Sequence, residues 1–365
     1  MSKELKPLIL GDAMIPQEGF VKAWEKYFAA DYGKDVVHGD FESDWDQLQY
    51  RRLEVEKQGP EIEEVDPLIL EKGNDRDMLM GLFVPVSSKV MDAMPNLRVV
   101  GVSRAGLENV NVEEASKRGI LVFNVMGRNA HAVSDFTIGL MLSEARNIAR
   151  AHSSIKDGGW QKTFVNSDFV PELNGKTIGL VGFGYIGSLV AKKLSGFDVD
   201  IICYDPYTSK ESLAAHNVTK VELNDLFERS DFVSMHARLG DDNRHMIGKE
   251  QFDLMKPTAI FINTARAGLV DYDALCDALE EKKILGAALD VFETEPIEEG
   301  NRILTLDNVT LTTHIAGTTA DALGNSPFLL MEDLRRLFDG QEANFIVNKE
   351  VLENQDFKKW LESKK

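Results

Sequence analysis

Gly182-Phe183-Gly184-Tyr185-Ile186-Gly187 is the stretch of this chain whose spacing most directly implies chemistry. The first glycine permits a tight turn, the second lets the backbone approach a pyrophosphate, and the third lets a helix pack closely on the preceding strand. The helix N-terminus then faces the anion. Alone, such a pattern is weak, but here residues 177–181 read as a buried strand and 185–195 as a helix. Asp205 stands eighteen positions beyond Gly187, at the end of the next strand-like run. A carboxylate there accepts hydrogen bonds from ribose hydroxyls and repels a 2′-phosphate, and no Arg or Lys follows until Lys210, so NAD rather than NADP is the expected cofactor.

Downstream, three segments each follow a strand-like run, where loops gather at the carboxyl edge of a parallel sheet. They are Asn263-Thr264-Ala265-Arg266, Asp290-Val291-Phe292-Glu293-Thr294-Glu295-Pro296 and Thr312-Thr313-His314-Ile315-Ala316-Gly317. An imidazole, with an ordinary pKa near 6.5, exchanges protons at working pH, and an arginine offers a planar fork that matches a carboxylate. Singly, such a His is usually a core or surface residue, such an Arg a solvated one, and a Glu before Pro a loop residue. The ordered set, joined to the glycine fingerprint, reads as a hydride-transfer site.

In order and separation these segments resemble the D-isomer-specific 2-hydroxyacid dehydrogenases, the family of phosphoglycerate, D-lactate, glycerate and formate dehydrogenases. The resemblance runs from residues 97–125 to about Ala322. It implies that Arg266 binds and polarises the substrate, that Glu295 rather than Glu293 orients the catalytic histidine, and that His314 is the acid/base. It also implies that Asp290 meets the nicotinamide carboxamide, that Gly182, Gly184, Tyr185, Ile186 and Gly187 meet the pyrophosphate, and that Thr264, Ala265, Arg266, His314 and Gly317 line the nicotinamide end. The loop from Arg104-Ala105-Gly106 to Val110 matches the one whose amides hold the substrate carboxylate. Arg104 itself is either a second anion ligand, for a phosphate or distal carboxylate, or part of an intramolecular salt bridge. The loop His236-Ala237-Arg238-Leu239-Gly240 departs from the family's usual H-x-P-L-T. A non-catalytic NAD(H)-sensing protein of the same fold is the alternative reading, because a corepressor branch keeps the same three residues.

The elements that must position these groups alternate as strands and helices, the pattern of a parallel sheet covered by helices. The expected fold is α/β with two domains, a Rossmann-type doubly wound parallel sheet plus a smaller flavodoxin-like α/β substrate domain. The expected boundaries are 1–124 with 325–365 for the substrate domain and 125–324 for the NAD-binding domain. About half the chain precedes the fingerprint, so a separate α/β unit has to supply the substrate side. Residues 129–151 read as one long helix suited to a dimer interface, since family members are usually homodimers.

Composition supports these expectations. The chain has 365 residues, 41 Lys+Arg and 60 Asp+Glu, a formal charge of −19. At ~100–200 residues per domain this length allows about two domains, and the net charge opposes binding to nucleic acid or anionic membranes. The substrate is nonetheless read as a small anion, because Arg266, glycine-loop amides and a helix N-terminus collect at the expected site. Cys203 and Cys276 have no metal spacing and read as core residues of a reducing, cytoplasmic compartment. His38, His131, His152, His216 and His245 show no ligand spacing, so no metal is expected. The substrate can be glyoxylate, hydroxypyruvate, phosphohydroxypyruvate or a larger oxo acid; the motifs do not separate them.

Overall fold

Short runs of Val, Ile, Leu and Met, buried on both faces, form the parallel strands that carry the functional loops. The computed structural model describes residues 3–365 and divides into two units, Met1–Arg128 with Thr319–Lys365, and Asn129–Thr318. The breaks fall in the connection between the strand ending at Asn124 and the helix starting at Ala130, and just before the helix starting at Ala320.

The first unit is built on β1 (Pro7–Asp12), β2 (Val37–Glu42), β3 (Met78–Gly81), β4 (Val99–Val102) and β5 (Leu121–Asn124), all parallel, in the order β2-β1-β3-β4-β5. This is the flavodoxin-like order, whose switch point lies between β1 and β3. One face buries Phe20, Trp24 and Phe28 with Leu330, Met331 and Leu334 of the returning Ala320–Phe338 helix. Each fully buried side chain of this size contributes about 1.5–3 kcal/mol. The C-terminal segment is also tied to β5 by polar bonds: the Val122 amide donates to Asn348 Oδ1 at 2.8 Å, and Asn348 Nδ2 donates to the Ile120 carbonyl at 2.9 Å.

The second unit contains β6 (Thr177–Val181), β7 (Asp200–Tyr204), β8 (Val218–Lys220), β9 (Phe232–Met235), β10 (Ile260–Asn263), β11 (Gly286–Leu289) and β12 (Val309–Leu311), parallel throughout, in the order β12-β11-β10-β9-β6-β7-β8. It is a doubly wound sheet whose order reverses between β9 and β6. Helices cover both faces and bury separate clusters around Phe227, Phe252 and Phe261 on one side and Leu180, Val190 and Leu194 on the other.

The single helix expected over 129–151 is two, Ala130–Ala145 and Ile148–Lys156, separated at Asn147 with φ 56°. Asparagine tolerates this left-handed conformation better than most residues. The break lets Arg150 fold back so that its Nη2 lies 2.7 and 2.9 Å from the two oxygens of the buried Glu144. Burial pushes the Glu144 carboxyl up, and the arginine together with Thr310 opposes this. Strands β2, β5 and β8 were not expected from the sequence: all three are sheet edges, β5 and β8 only four and three residues long and β2, VHGDFE, half exposed and polar. Both cysteines are buried and free, and burial pushes the Cys203 thiol up to about 12.

Candidate functional site

At the carboxyl end of β6 the chain turns through Gly182, with φ 103°. A Cβ there would lie 2.6 Å from the Ala237 nitrogen, and one at Gly187 would lie 2.3 Å from the Gly182 carbonyl oxygen. The fold itself therefore demands these two glycines. Gly184 differs, because a Cβ on it meets nothing within 4 Å. It caps the Tyr185–Leu194 helix, whose first N–H groups have no intrahelical acceptor and whose dipole favours an anion. Only an approaching group gains from the missing side chain at Gly184, so this cradle fits the pyrophosphate of a dinucleotide. Tyr185 is exposed and Ile186 half-buried at the first turn of the helix.

Asp205 follows β7, and its Oδ2 accepts the Phe183 amide at 2.7 Å while Oδ1 accepts those of Tyr207 and Thr208 at 2.8 Å. Burial disfavours the charged carboxyl, but these backbone donors outweigh it and hold its pKa below the usual range. The carboxylate is thus fixed to the glycine turn. His236 follows β9; its ring Nε2 lies 2.9 Å from Ser234 Oγ, and burial pushes its pKa down to about 3, so the ring is neutral.

The remaining candidates leave three adjacent strands, β10, β11 and β12, at one sheet edge. After β10, Asn263 Oδ1 accepts the Ala265 amide and its Nδ2 donates to the Arg266 carbonyl, each at 3.0 Å, which shapes the loop that presents the exposed Arg266. Arg266 Nη1 donates to the Ala265 carbonyl at 2.7 Å, leaving the other guanidinium donors for a ligand. Thr264 Oγ1 lies 2.8 Å from Thr137 Oγ1. Because Thr137 donates to the Val133 carbonyl at 2.8 Å, Thr264 is the donor of that pair and keeps its lone pairs.

Glu295, beyond β11, has Oε2 2.7 Å from His314 Nδ1, and its Oε1 accepts the Phe292 amide at 2.9 Å. Glu293 lies elsewhere, its Oε1 3.4 Å from His245 Nε2. His314 follows β12 and adopts φ 57°, which costs a non-glycine residue roughly 1–2 kcal/mol. Gly317 is close to Asn129: a Cβ on it would lie 2.3 Å from Asn129 Nδ2.

Asp290 is anchored by the segment that carries His314. It is wholly buried, and its oxygens accept from Thr312 Oγ1 at 2.6 Å, the Ile315 amide at 3.0 Å and the Ala316 amide at 2.9 Å. Oδ1 takes two of these bonds and Oδ2 one, so Oδ2 keeps a lone pair for a further donor.

In the first unit, the Arg104 and Ala105 carbonyls accept from the Val125 amide at 3.0 Å and Asn124 Nδ2 at 2.7 Å. Among the described residues the Ala105 and Gly106 amides have no acceptor, which suits a carboxylate. Arg104 realises the salt-bridge alternative: Nη2 lies 3.0 Å from Glu56 Oε1 and 3.1 Å from Glu108 Oε2, and the guanidinium sits 4.5 Å from the Phe83 ring centre. Its place as a free substrate ligand is corrected accordingly, since two carboxylates already neutralise it.

Asn263, Thr137 and Thr312 were missed from the sequence. Only Asn263, directly after a strand and three before Arg266, carried a local signal; Thr137 lies 127 residues from Thr264. Among the described residues, no group of three or more His, Cys, Asp or Glu is placed to hold a metal, and no helix is long and apolar enough to cross a membrane.

Comparison with known proteins agrees with this geometry. Residues 138–316 match the family model described as the D-isomer specific 2-hydroxyacid dehydrogenase, NAD binding domain. The chain is 42% identical over 288 residues to a glyoxylate reductase of Thermofilum pendens, covering 78% of this chain and 85% of that protein. It is 40% identical over 282 residues to a D-3-phosphoglycerate dehydrogenase of Methanocaldococcus jannaschii, covering 77% of this chain but about half, 53%, of that protein. The solved structure of a D-2-hydroxyisocaproate dehydrogenase superposes with a TM-score of 0.73 at 25% identity, over 93% of this chain and 99% of that one.

Proposed function

The chain belongs to the D-isomer-specific 2-hydroxyacid dehydrogenase family, and from that premise we propose that it interconverts a D-2-hydroxy acid and its 2-oxo acid with NAD. The observation that carries this reading is the Glu295–His314 pair, 2.7 Å apart, two strands' breadth from the Arg266 loop on the same sheet edge. NAD, when bound, supplies or takes the hydride at the substrate's C2.

An ionised carboxylate only accepts, so Glu295 fixes the proton on His314 Nδ1 and leaves Nε2 to exchange one with the substrate oxygen. In reduction Nε2 donates to the carbonyl oxygen as C2 receives the hydride; in oxidation it takes the hydroxyl proton as the hydride leaves. Such general acid–base catalysis contributes roughly 10²–10⁴-fold. Arg266 binds the substrate carboxylate and stabilises charge developing on the reacting oxygen. The unpartnered amides of Ala105 and Gly106 are assigned to the substrate carboxylate, and Thr264, Ala265 and Gly317 to the nicotinamide end.

NADH oxidation with a panel of 2-oxo acids tests the proposal: turnover of at least one supports it. Tight NADH binding with no oxidation in the presence of any of them favours an NAD(H)-sensing protein instead. We further assign a homodimeric state, supported by the exposed apolar side chains of Ile148, Ile155, Trp160, Val165 and Phe169 in one stretch of the second unit. The two free cysteines support a cytoplasmic location.

A further inference from the structure

The loop after β9 holds two exposed arginines, Arg238 and Arg244, whose guanidinium groups make no hydrogen bond, ion pair or ring contact among the described residues. The chain has 60 acidic residues against 41 basic ones, and Asp241 and Asp242 stand on this same loop, yet neither carboxylate pairs with Arg238. Arg238 occupies the proline position of H-x-P-L-T, so a position that is uncharged in that pattern carries a cation here.

The loop is shaped to hold Arg238 in place. Asn243 Oδ1 accepts the Gly240 amide at 2.8 Å, and Asn243 Nδ2 donates to the Arg238 carbonyl at 2.8 Å. A Cβ on Gly240 would lie 2.9 Å from Asp242 Oδ1, so that carboxylate is folded onto Gly240. The start of the loop lies against the glycine turn. The His236 amide donates to the Val181 carbonyl at 2.8 Å, and a Cβ on Gly182 would lie 2.6 and 2.9 Å from the Ala237 nitrogen and Cα. Arg238 is the next residue, one Cα step of about 3.8 Å further on. The sheet order reverses between β6 and β9, so the glycine turn and this loop form the two walls of the crevice in which doubly wound sheets bind their ligands. Arg244 is turned elsewhere: a Cβ on Gly268, in the loop after β10, would lie 3.1 Å from its Nη1.

The charges of the two walls are unequal. The first turn of the Tyr185–Leu194 helix, Tyr185-Ile186-Gly187-Ser188, is uncharged, and its dipole amounts to about half a positive charge. Asp205, bonded to the Phe183 amide, adds a negative one to that wall. On the other wall burial keeps the His236 ring neutral, which leaves Arg238 as the cation. Amides and a helix dipole leave much of a doubly charged pyrophosphate unbalanced, and a free guanidinium across the crevice completes the balance with a fork that matches phosphate oxygens.

We propose that Arg238 is a further cofactor-binding residue that closes the glycine cradle from the β9 side, so that this chain holds the pyrophosphate of NAD(H) partly through a salt-sensitive ion pair. The inference rests on the dinucleotide reading of the glycine turn and involves the second unit alone.

The test titrates NADH and ADP-ribose into the full-length protein at low and at high salt. At low salt Arg238→Gln is expected to bind both ligands about tenfold more weakly, because both carry the pyrophosphate. Its thermal midpoint is expected to match the wild type, since the side chain is exposed and touches nothing in the fold. Added salt is expected to weaken binding in the wild type and to do so less in Arg238→Gln. Arg244→Gln removes the same charge from the same loop and is expected to leave NADH affinity within about twofold, because a charge that makes no contact is screened. A loss as large in Arg244→Gln, a loss for NADH but not for ADP-ribose, an unaltered salt dependence or a lowered midpoint in Arg238→Gln would each overturn the proposal. Wild-type protein that binds neither ligand overturns the dinucleotide reading and the proposal with it; wild-type binding that Arg238→Gln retains in full overturns the proposal alone.

Discussion

Glu295 is held at both oxygens: Oε2 lies 2.7 Å from His314 Nδ1, and Oε1 accepts the Phe292 amide at 2.9 Å. The second bond fixes the carboxylate so that the first can fix the ring, whose backbone sits in the left-handed region at φ 57°. Glu295→Gln keeps the shape but can present its amide nitrogen to one of two donors, and it removes the charge that stabilises the imidazolium. Its kcat is expected to fall by roughly 10²-fold or more, within the range for general acid–base catalysis. NADH affinity should be little changed, since Glu295 makes no contact in the glycine turn. Stopped-flow hydride transfer and NADH fluorescence titration separate the two; unchanged kcat would remove Glu295 from the mechanism.

Asp290 supports the same histidine from beneath. Its three donors all come from residues 312–316, so Asp290→Asn turns an amide N–H toward at least one of them. Leaving a buried donor unmatched costs about 1–3 kcal/mol. The variant is expected to lose that much in urea unfolding and to lose kcat, with less effect on NADH affinity. A variant that keeps kcat and loses chiefly NADH affinity would instead assign Asp290 mainly to the nicotinamide carboxamide.

What was legible in the sequence follows from how local each feature is. The glycine turn, Asp205 and the three loops bearing Arg266, Glu295 and His314 each sit within a few residues of a strand end, so pattern and spacing expose them. The choice of Glu295 over Glu293 came from the position of Pro296, and the pair's geometry agrees with it. Arg104 was left open because its partners depend on folding: Glu56 is 48 residues away on a helix that no motif announces. The donors that anchor Asp290 are hidden for the same reason, since they come from the loop after a strand more than twenty residues later. The helix break at Asn147 is not legible because the apolar pattern runs up to it without a breaker, and the Arg150–Glu144 pair that the break allows joins residues on its two sides.

The glycines make unequal demands. A methyl at Gly187 collides with the Gly182 carbonyl oxygen at 2.3 Å, whereas one at Gly184 enters open space. Gly187→Ala is therefore expected to lower the thermal midpoint through a forced backbone shift, an overpacking cost of typically ~1–3 kcal/mol. Gly184→Ala should melt like the wild type yet bind NADH about tenfold or more weakly, because the methyl occupies the approach to the helix N-terminus. Equal NADH affinity in Gly184→Ala would place the dinucleotide elsewhere.

Asp205 and His236 give the second unit an acid-sensitive stability. His236 has its pKa depressed to about 3, below the ~6.5 of an unfolded chain, so its contribution is complete above about pH 6.5 and declines as the pH falls toward 3. Asp205 is also depressed, despite its burial, by its backbone donors; its contribution is present above the ordinary ~3.9 and is lost only at lower pH. Urea midpoints measured from pH 7.5 to 4 should fall from about pH 6.5 downward, and His236→Gln should flatten that decline. A parallel decline in the variant would mean that other groups govern it. Asp205→Asn should leave this upper window unchanged while improving the use of NADPH relative to NADH, since the repulsion of a 2′-phosphate is gone.

The exposed apolar stretch of the second unit makes the last prediction. Ile155, Trp160 and Phe169 are 55%, 76% and 59% exposed, in a chain whose charge of −19 otherwise keeps copies apart. Apolar surface of this kind persists against water where a partner covers it. Multi-angle light scattering at micromolar concentration is expected to give a dimer of the 40.8 kDa chain. The Ile155→Glu/Phe169→Glu double variant puts two like charges from each copy into that face and should shift the mass to the monomer. It should not destabilise the isolated fold, because neither side chain belongs to the buried core. A wild-type monomer, or a double variant that remains dimeric, would move the interface off this stretch.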